Sequence, residues 1–191
     1  MELTLGLIIL IVLTYGLKAP TLRLATFCLG VILLMSAVGA VGAEPHLLCW
    51  TQAIKMLVML SGLAILCMLD HRTSHRSSSL LILLVTLGNL LLIGSTNLIS
   101  IYLALEMQTL CMFILVAYNK NSLLSAEAGL KYFVLGALSS GLFLFGCALI
   151  YGSTGELELQ FIRMSLISYG ALAGKCLITI SLLFKVSAAP F

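Results

Sequence analysis

Four charged side chains occur inside long apolar segments of this sequence, where a charge needs a chemical reason. They are one glutamate, Glu106, and three lysines, Lys131, Lys175 and Lys185. A charged residue at the centre of a membrane-spanning helix costs about 2.5–3.5 kcal/mol on insertion scales. Carboxylate and ammonium groups in such positions pair with each other or exchange protons, so proton transfer is the chemistry that these residues indicate.

Glu106 lies near the middle of the segment IYLALEMQTLCMF. Tyr102, four residues earlier, and Thr109, three residues later, share its face of a helix and form a polar stripe among leucines. Burial favours the neutral carboxyl group, whereas a neighbouring lysine favours the carboxylate, so the proton occupancy of Glu106 can be switched. The alternative is a fixed ion pair between helices that has no part in transport.

Two of the lysines have neighbours that bear on their role. Lys131 follows Glu127 by one helical turn. It is therefore either held by that carboxylate near the helix end, or buried against other helices, where it could exchange a proton. Lys175 lies nearer to the acidic loop that precedes it, and we expect it to reach the membrane surface or to pair locally.

Lys185 lies deep in the last apolar segment and is followed closely by Pro190. Proline removes a backbone donor and disfavours helical geometry at the residue before it. A helix that unwinds inside the membrane is tolerated only where protein or a water-filled cavity receives the freed backbone groups, and such broken helices recur at ion sites of transporters. We expect a broken helix beside Lys185; the alternative is that Pro190 ends the helix at the membrane surface.

The elements that carry these residues are membrane-spanning helices. Hydrophobic residues make up 61% of the 191 residues and charged residues 9%, against about 25% charged residues in a soluble domain. A soluble protein is therefore excluded, and the dispersed basic residues argue against nucleic-acid binding.

A spanning helix needs about 20 mostly apolar residues. That length predicts seven spans, at about 3–17, 22–43, 47–69, 79–95, 97–117, 126–151 and 166–188.

The charges in the connecting loops alternate along the chain. Basic residues mark the first, third and fifth loops, and acidic residues mark the second and the sixth. The positive-inside rule therefore places the odd-numbered loops on the cytoplasmic or matrix side and the N-terminus on the opposite side.

Small residues in the sixth span predict close helix packing. Gly136 with Ser140, and Ala137 with Gly141, have the small-xxx-small spacing that lets helix backbones approach each other. The six cysteines lie singly, mostly within apolar runs, and no CxxC pair occurs. We expect them to be small buried side chains rather than ligands of a metal or an iron–sulfur cluster.

Three segments of the sequence resemble a known family: YLALEMQTLCMFILVAYNKN, SAEAGLKYFVLGALSSGLFLFGCALIYGSTG and LLFKVSAAPF. They resemble the chain 2 family of NADH:ubiquinone oxidoreductase, the antiporter-like membrane subunits of respiratory complex I, from about Leu80 to Phe191. For residues 1–79 only the helix count and the topology agree. The resemblance implies an all-α, polytopic transmembrane helix bundle of about seven helices. By this resemblance we expect residues 1–79 to form three leading helices, and residues 80–191 to form helices four to seven of an incomplete antiporter-like half-repeat with a broken seventh helix.

The resemblance also implies a role for each charged residue. Glu106 is expected to pair with Lys185 in the broken seventh helix, and Lys131 to belong to the same proton path. The implied function is that of a core membrane-arm subunit of the proton-translocating NADH:ubiquinone reductase, in which proton translocation is coupled to electron transfer. No redox chemistry is expected in this chain alone, because FMN, the iron–sulfur clusters and ubiquinone belong to partner subunits.

The resemblance further implies partners and a location. The partners are other membrane-arm subunits of complex I and membrane lipids, in the mitochondrial inner membrane or, alternatively, a bacterial plasma membrane. The family's subunit continues beyond the position of Phe191, so we expect either a second chain that carries the missing C-terminal half or a truncated product. A component of a multi-subunit cation/proton antiporter and a non-pumping scaffold half-subunit are the alternatives. The stretch EAGLKYFVLGALSSGLFLFG favours chain 2 over the antiporter.

Overall fold

The computed structural model describes residues 46–68, 76–119, 121–164 and 169–188 of the chain. The regular elements in these ranges are all α-helices: α1 His46–Met68, α2 Arg76–Gly94, α3 Leu98–Val116, α4 Leu123–Thr154, α5 Leu159–Met164 and α6 Tyr169–Lys185. The β-type pairing in the described ranges is an isolated antiparallel bridge between Asn97 and Glu158. The prediction of an all-α fold is therefore confirmed.

Five of the seven predicted spans fall on described helices. They are 47–69, 79–95, 97–117, 126–151 and 166–188, which correspond to α1, α2, α3, α4 and α6. The predicted spans 3–17 and 22–43 lie outside the described residues. Within the described part, three helical segments are long and apolar enough to cross a membrane by length and composition: Trp50–Met68, Leu98–Val116 and Leu123–Thr154. The chain is thus a polytopic membrane protein, and the expected number of helices is seen in part.

The structure differs from the predicted helices in two places: α4 is longer than predicted, and one short helix was not predicted. α4 has 32 residues, which is about 48 Å at 1.5 Å per residue. It is longer than predicted because Ser122 caps its start, with Oγ accepting from Ser125 N at 3.3 Å, and because the left-handed Gly155 (φ 73) ends it only after Thr154. The loop that follows contains the short helix α5, which was not predicted and whose Ile162 is buried in the core.

The chain divides into two compact units, Met1–Gly94 and Ser95–Phe191. In the first unit α1 packs against α2, where a Cβ atom on Gly62 would lie 2.5 Å from Thr86 Cγ2. In the second unit α4 packs against both α3 and α6. The division of the sequence at residues 79 and 80 refers to the repeat of the family and stays a prediction.

The second unit has an apolar core to which α3, α4, α5 and α6 contribute. Its buried side chains are Leu98, Phe143, Cys147, Ile150, Ile162 and Ile178. Within it, the backbones of α4 and α6 approach each other at two glycines, because a Cβ atom on Gly174 would lie 2.7 Å from the carbonyl oxygen of Gly146. A larger residue at either position would push these helices apart.

The small residues that the sequence singled out do not make this contact. A Cβ atom on Gly136 would meet the ring of Phe113 at 2.5 Å, and one on Gly141 would have nothing within 4 Å. The prediction of close backbone packing was therefore wrong at these positions, because this part of α4 receives an aromatic side chain instead of a second backbone. Gly170 and Gly174 of α6 have the same small-xxx-small spacing, and this pair would have predicted the close contact of α6 with α4.

The described cysteines fall into two pairs. Cys111 and Cys147 are buried, whereas Cys67 and Cys176 are exposed, and all four are free thiols. The prediction of small buried side chains is confirmed for the first pair and wrong for the second. A cysteine behaves as a small apolar side chain, so the outer face of an apolar helix accommodates it as well as the core does.

Two loops of the second unit meet at one end of the helices. Leu98 N donates to Leu157 O, and Leu159 N donates to Thr96 O, both at 3.1 Å. The loop before α3 and the loop after α4 therefore lie on the same side, as the alternating topology requires for two even-numbered loops. The side of the membrane that they face stays a prediction.

Candidate functional site

α3 directs Glu106 towards α4. The helix begins at Leu98 after Asn97, whose side chain accepts from Ile99 N at 3.4 Å. The ring of Tyr102, one turn before Glu106, stacks on Phe143 of α4 with a centroid distance of 6.0 Å. Phe113, two turns after Glu106, fills the space over the glycine at position 136 of α4. Residues 102, 106 and 113 share one helix face, so Glu106 faces α4 between these two contacts.

The same two contacts show which residues of α4 lie opposite Glu106. α3 and α4 run in opposite directions, and the position between the contacts falls at Ser139 and Ser140. These serines are 0% and 6% exposed. Their hydroxyl groups donate to carbonyl oxygens three residues earlier, at 2.8 and 3.0 Å. Each hydroxyl oxygen keeps lone pairs that can accept a further hydrogen bond.

α6 brings Lys185 to the same level. Two antiparallel contacts fix the register between α4 and α6: Gly146 with Ile178, and Ile150 with Gly174. Continuing this register by two turns places Lys185 opposite Ser139. Lys185 is partly buried and lies at the level of α4 that Glu106 faces. The structure thus brings together two of the three residues that the sequence predicted.

Glu106 and Lys185 are not joined by a hydrogen bond in the part of the chain that the structure describes. Glu106 Oε2 is buried and has no hydrogen-bond partner among these residues. Thr109 Oγ1, which the sequence placed on the same face, donates to the backbone carbonyl of Glu106 at 3.0 Å and not to its carboxylate. The carboxylate is therefore held in place by its helix while its acceptor capacity is still available.

α6 ends at Lys185, and its backbone shows why. Ser187 has φ 57, the left-handed conformation. Ala188 N donates to Leu183 O and Ser187 N donates to Phe184 O, both at 3.0 Å. This pair of bonds is a Schellman motif, which ends a helix while satisfying its last carbonyl groups. α6 therefore ends beside Lys185 with Ser187 in the left-handed conformation; Pro190 lies outside the described residues, and a helix that is broken inside the membrane stays a prediction.

Lys131 does not lie at this level. Its Nζ donates to Glu127 Oε1 at 2.6 Å, and the two side chains are 69% and 60% exposed. Eight residues separate it from Ser139, about 12 Å along α4. The geometry matches the alternative in which Glu127 holds Lys131 near the helix start, and its place in a proton path stays a prediction. Lys175 is exposed, as expected for a lysine that reaches away from the core.

Sequence reasoning missed the serines of the site. Besides Ser139 and Ser140, Ser181 lies one turn before Lys185, is 0% exposed, and its Oγ has no hydrogen-bond partner. The sequence features that could have indicated them are the adjacent serines Ser139 and Ser140, and Ser181 four residues before Lys185, all inside apolar segments. Gln108 Oε1 is also buried without a partner, but Gln108 lies about 200° around α3 from Glu106 and so belongs to another face.

The groups gathered at this level are a carboxylate, an ammonium group and hydroxyl groups. All of them accept, donate or carry protons. Among the described residues, no group of three or more histidine, cysteine, aspartate or glutamate side chains is placed to hold a metal ion. The chemistry that this arrangement supports is the uptake, holding and release of a proton between helices.

Two family descriptions match the chain. Residues 1–92 match the N-terminal region of NADH dehydrogenase subunit 2. Residues 95–191 match the transmembrane region of the NADH:quinone oxidoreductase/Mrp antiporter family. The second match contains Glu106, Lys131 and Lys185.

Curated relatives share these regions. NADH-ubiquinone oxidoreductase chain 2 of Metridium senile is 50% identical over 129 residues, which cover 62% of this chain and 34% of the relative. NADH-quinone oxidoreductase subunit N of Granulibacter bethesdensis is 34% identical over 100% of this chain and 44% of its own length. The chain thus spans between a third and a half of the length of these relatives.

Solved structures show the same fold. A chain of respiratory complex I from Thermus thermophilus with bound aureothin is 26% identical, with a TM-score of 0.85 over 100% of this chain and 44% of that chain. A chain of an archaeal membrane-bound sulfane sulfur reductase is 21% identical, with a TM-score of 0.78 over 96% of this chain and 44% of that one, a likeness of fold alone. Because the transmembrane family description covers residues 95–191, just over half of the sequence, the chain belongs to the NADH:quinone oxidoreductase/Mrp antiporter transmembrane family.

Proposed function

We propose that the chain contributes to proton translocation as part of a core membrane-arm subunit of NADH:ubiquinone oxidoreductase, respiratory complex I. The observation that carries the proposal is that Glu106 and Lys185 lie at one level along α4, as the contacts of α3 and α6 with that helix indicate. The relatives named NADH-ubiquinone oxidoreductase chain 2 and NADH-quinone oxidoreductase subunit N support it. So does the likeness to a chain of the Thermus thermophilus complex.

In the proposed mechanism the interaction between Glu106 and Lys185 controls where a proton resides. Opposite charges stabilise each other in a medium of low dielectric constant. When a structural change driven by quinone reduction separates them, the charged form of each group loses its partner and becomes less favourable. Lys185 then releases a proton, and it takes one up again when the pair re-forms. Lys131, about 12 Å along α4, is proposed as a further proton-carrying group of the path.

The proposed setting is the mitochondrial inner membrane, with a bacterial plasma membrane as the alternative. The partners are the other membrane-arm subunits and the surrounding lipids. We place the redox groups, which are FMN, the iron–sulfur clusters and ubiquinone, in partner subunits. The helices that the relatives have beyond the matched region would complete the proton path, and a second chain that carries them stays a prediction.

Two other functions use the same residues or the same fold. A cation/proton antiporter component fits the transmembrane family description, which also includes Mrp antiporters. The match of residues 1–92 to NADH dehydrogenase subunit 2 favours complex I over that alternative. A scaffold that pumps nothing would need the fold but not the charges of Glu106 and Lys185.

Membership in the complex is tested by native electrophoresis of gently solubilised membranes, with in-gel NADH oxidation and mass spectrometry of the active band. We expect peptides of this chain in the NADH-oxidising band, together with those of other membrane-arm subunits. Absence of the chain from every NADH-oxidising band would refute the proposal. Sodium-dependent transport in vesicles that quinone-site inhibitors leave unchanged would then favour the antiporter.

A further inference from the structure

Ser181 is a buried hydroxyl group that the proposed mechanism does not use. Its side chain is 0% exposed, and its Oγ has no hydrogen-bond partner among the residues that the structure describes. Serines inside helices often donate to a carbonyl group three or four residues earlier, as Ser139 and Ser140 do at 2.8 and 3.0 Å. A buried polar group without a partner is rare because its desolvation is not compensated, so Ser181 needs an explanation.

The position of Ser181 places it beside Lys185. It continues the buried stripe of α6 that Ala171, Gly174 and Ile178 form against α4. Lys185 follows four residues later on the same face. A long helical side chain leans back over the turn that precedes it. This direction brings Ser181 within reach of the partly buried side chain of Lys185.

Few other groups in the described helices compete for the ammonium group of Lys185. From α3 the charged group that interacts with it is Glu106, with the phenol of Tyr102 one turn away. From α4 the buried groups at this level are Ser139 and Ser140, whose hydroxyl hydrogens are donated to the backbone but whose oxygens could also accept from the ammonium group. The charged pair of α4, Glu127 with Lys131, is exposed.

We propose that Ser181 is a positioning residue for Lys185, whose ammonium group donates to Ser181 Oγ, directly or through one ordered water, when Glu106 does not hold it. The inference rests on the proposed function. Lys185 then has two acceptors, the carboxylate on α3 and the hydroxyl group on its own helix. Moving between them separates Lys185 from Glu106 without leaving the ammonium group unsolvated. The hydroxyl hydrogen of Ser181 stays available for a backbone carbonyl group or for that water.

The test is the variant Ser181→Ala in the assembled complex, with NADH:ubiquinone activity coupled to proton translocation measured against pH. The substitution withdraws an acceptor that stabilises the charged ammonium group. We therefore expect the alkaline limb of the pH profile to move to lower pH by roughly one unit, a tenfold change in proton affinity. Ser181→Thr keeps the hydroxyl group and is expected to keep the wild-type profile. A purely structural role would lower the rate at every pH without moving the limb.

A matched control is Thr86→Val, which removes a hydroxyl group that is 3% exposed and bonded to Leu83 O at 2.8 Å in the other unit. It is expected to leave the profile unchanged. If Ser181→Ala fails to assemble, Ser181→Cys has a similar volume and a weak acceptor, and it should move the limb in the same direction.

Glu106→Gln, measured in parallel, separates this inference from the proposed function. If Glu106→Gln abolishes coupled activity while Ser181→Ala or Ser181→Cys keeps the wild-type profile, the role of Ser181 is refuted and the proposed function stands. If Glu106→Gln has no effect in a fully assembled complex, the proposed function fails, and the role of Ser181 fails with it.

Discussion

At the scale of single residues, charges inside apolar segments indicated the candidate side chains, whereas only the family resemblance indicated which of them pair. Glu106 and Lys185 stand out because a charge in an apolar segment is costly. Lys131 stands out for the same reason, yet it is paired with Glu127 on an exposed face of its own helix. The sequence shows which residues share one face of a helix. The neighbour that a side chain contacts on another helix depends on how the helices pack.

A substitution that neutralises Lys131 tests whether this lysine carries protons or only pairs with Glu127. If Lys131 carries protons, Lys131→Met should lower NADH-driven proton translocation about tenfold, which corresponds to about 1.4 kcal/mol in the barrier. Exchanging the charges in the double variant Glu127→Lys, Lys131→Glu keeps an ion pair at i, i+4 and should not restore translocation. Restoration by the exchanged pair would show that Lys131 acts only as the partner of Glu127.

At the scale of elements, the helix ends and the helix contacts were only partly predictable. The end of α6 was attributed to Pro190, but Ser187 ends the helix in the left-handed conformation. Glycine is the usual residue at this position of a Schellman motif, so a serine there gives little signal. The contact of Gly146 with Gly174 was missed because several small-residue pairs in the sequence have the same spacing.

Ser187 offers a direct test of the helix end. A non-glycine residue in the left-handed conformation is disfavoured by about 1 kcal/mol or more, so Ser187→Gly should raise the melting temperature of the solubilised complex. Ser187→Val should lower it, because a β-branched residue tolerates this conformation poorly. Equal melting temperatures for the glycine and valine variants would contradict a left-handed residue at this position.

Gly174 tests the contact between α4 and α6. A Cβ atom there would lie 2.7 Å from Gly146 O, which is backbone and cannot move aside without moving its helix. Gly174→Ala should therefore destabilise the second unit by about 1–3 kcal/mol, the usual cost of overpacking. Gly152→Ala is the control, since a Cβ atom on Gly152 would have nothing within 4 Å. The measurement is the thermal denaturation of both variants. A Gly174→Ala variant with wild-type thermal stability would show that the two helices are not in contact at this position.

At the scale of the whole molecule, the helical fold was predictable and the packing faces were not. Apolar segments of spanning length must be helical in a membrane, because each backbone polar group has to be satisfied within its own segment. In a soluble helix the polar face shows which side is exposed. Here the exposed surface is as apolar as the core, with Leu103 59% and Phe145 58% exposed. Hydrophobicity alone therefore could not show that Glu106 faces α4.

In the proposed function, the charge of Glu106 supports proton translocation through its interaction with Lys185. The most direct measurement is NADH-driven proton uptake by membrane vesicles that carry Glu106→Gln, with the amount of assembled complex quantified in the same membranes. Glu156→Gln, which neutralises an exposed loop carboxylate, is the control. We expect Glu106→Gln to lower proton uptake at least about tenfold at unchanged assembly, and Glu156→Gln to leave proton uptake at the wild-type level. Wild-type proton uptake by a fully assembled Glu106→Gln complex would contradict it.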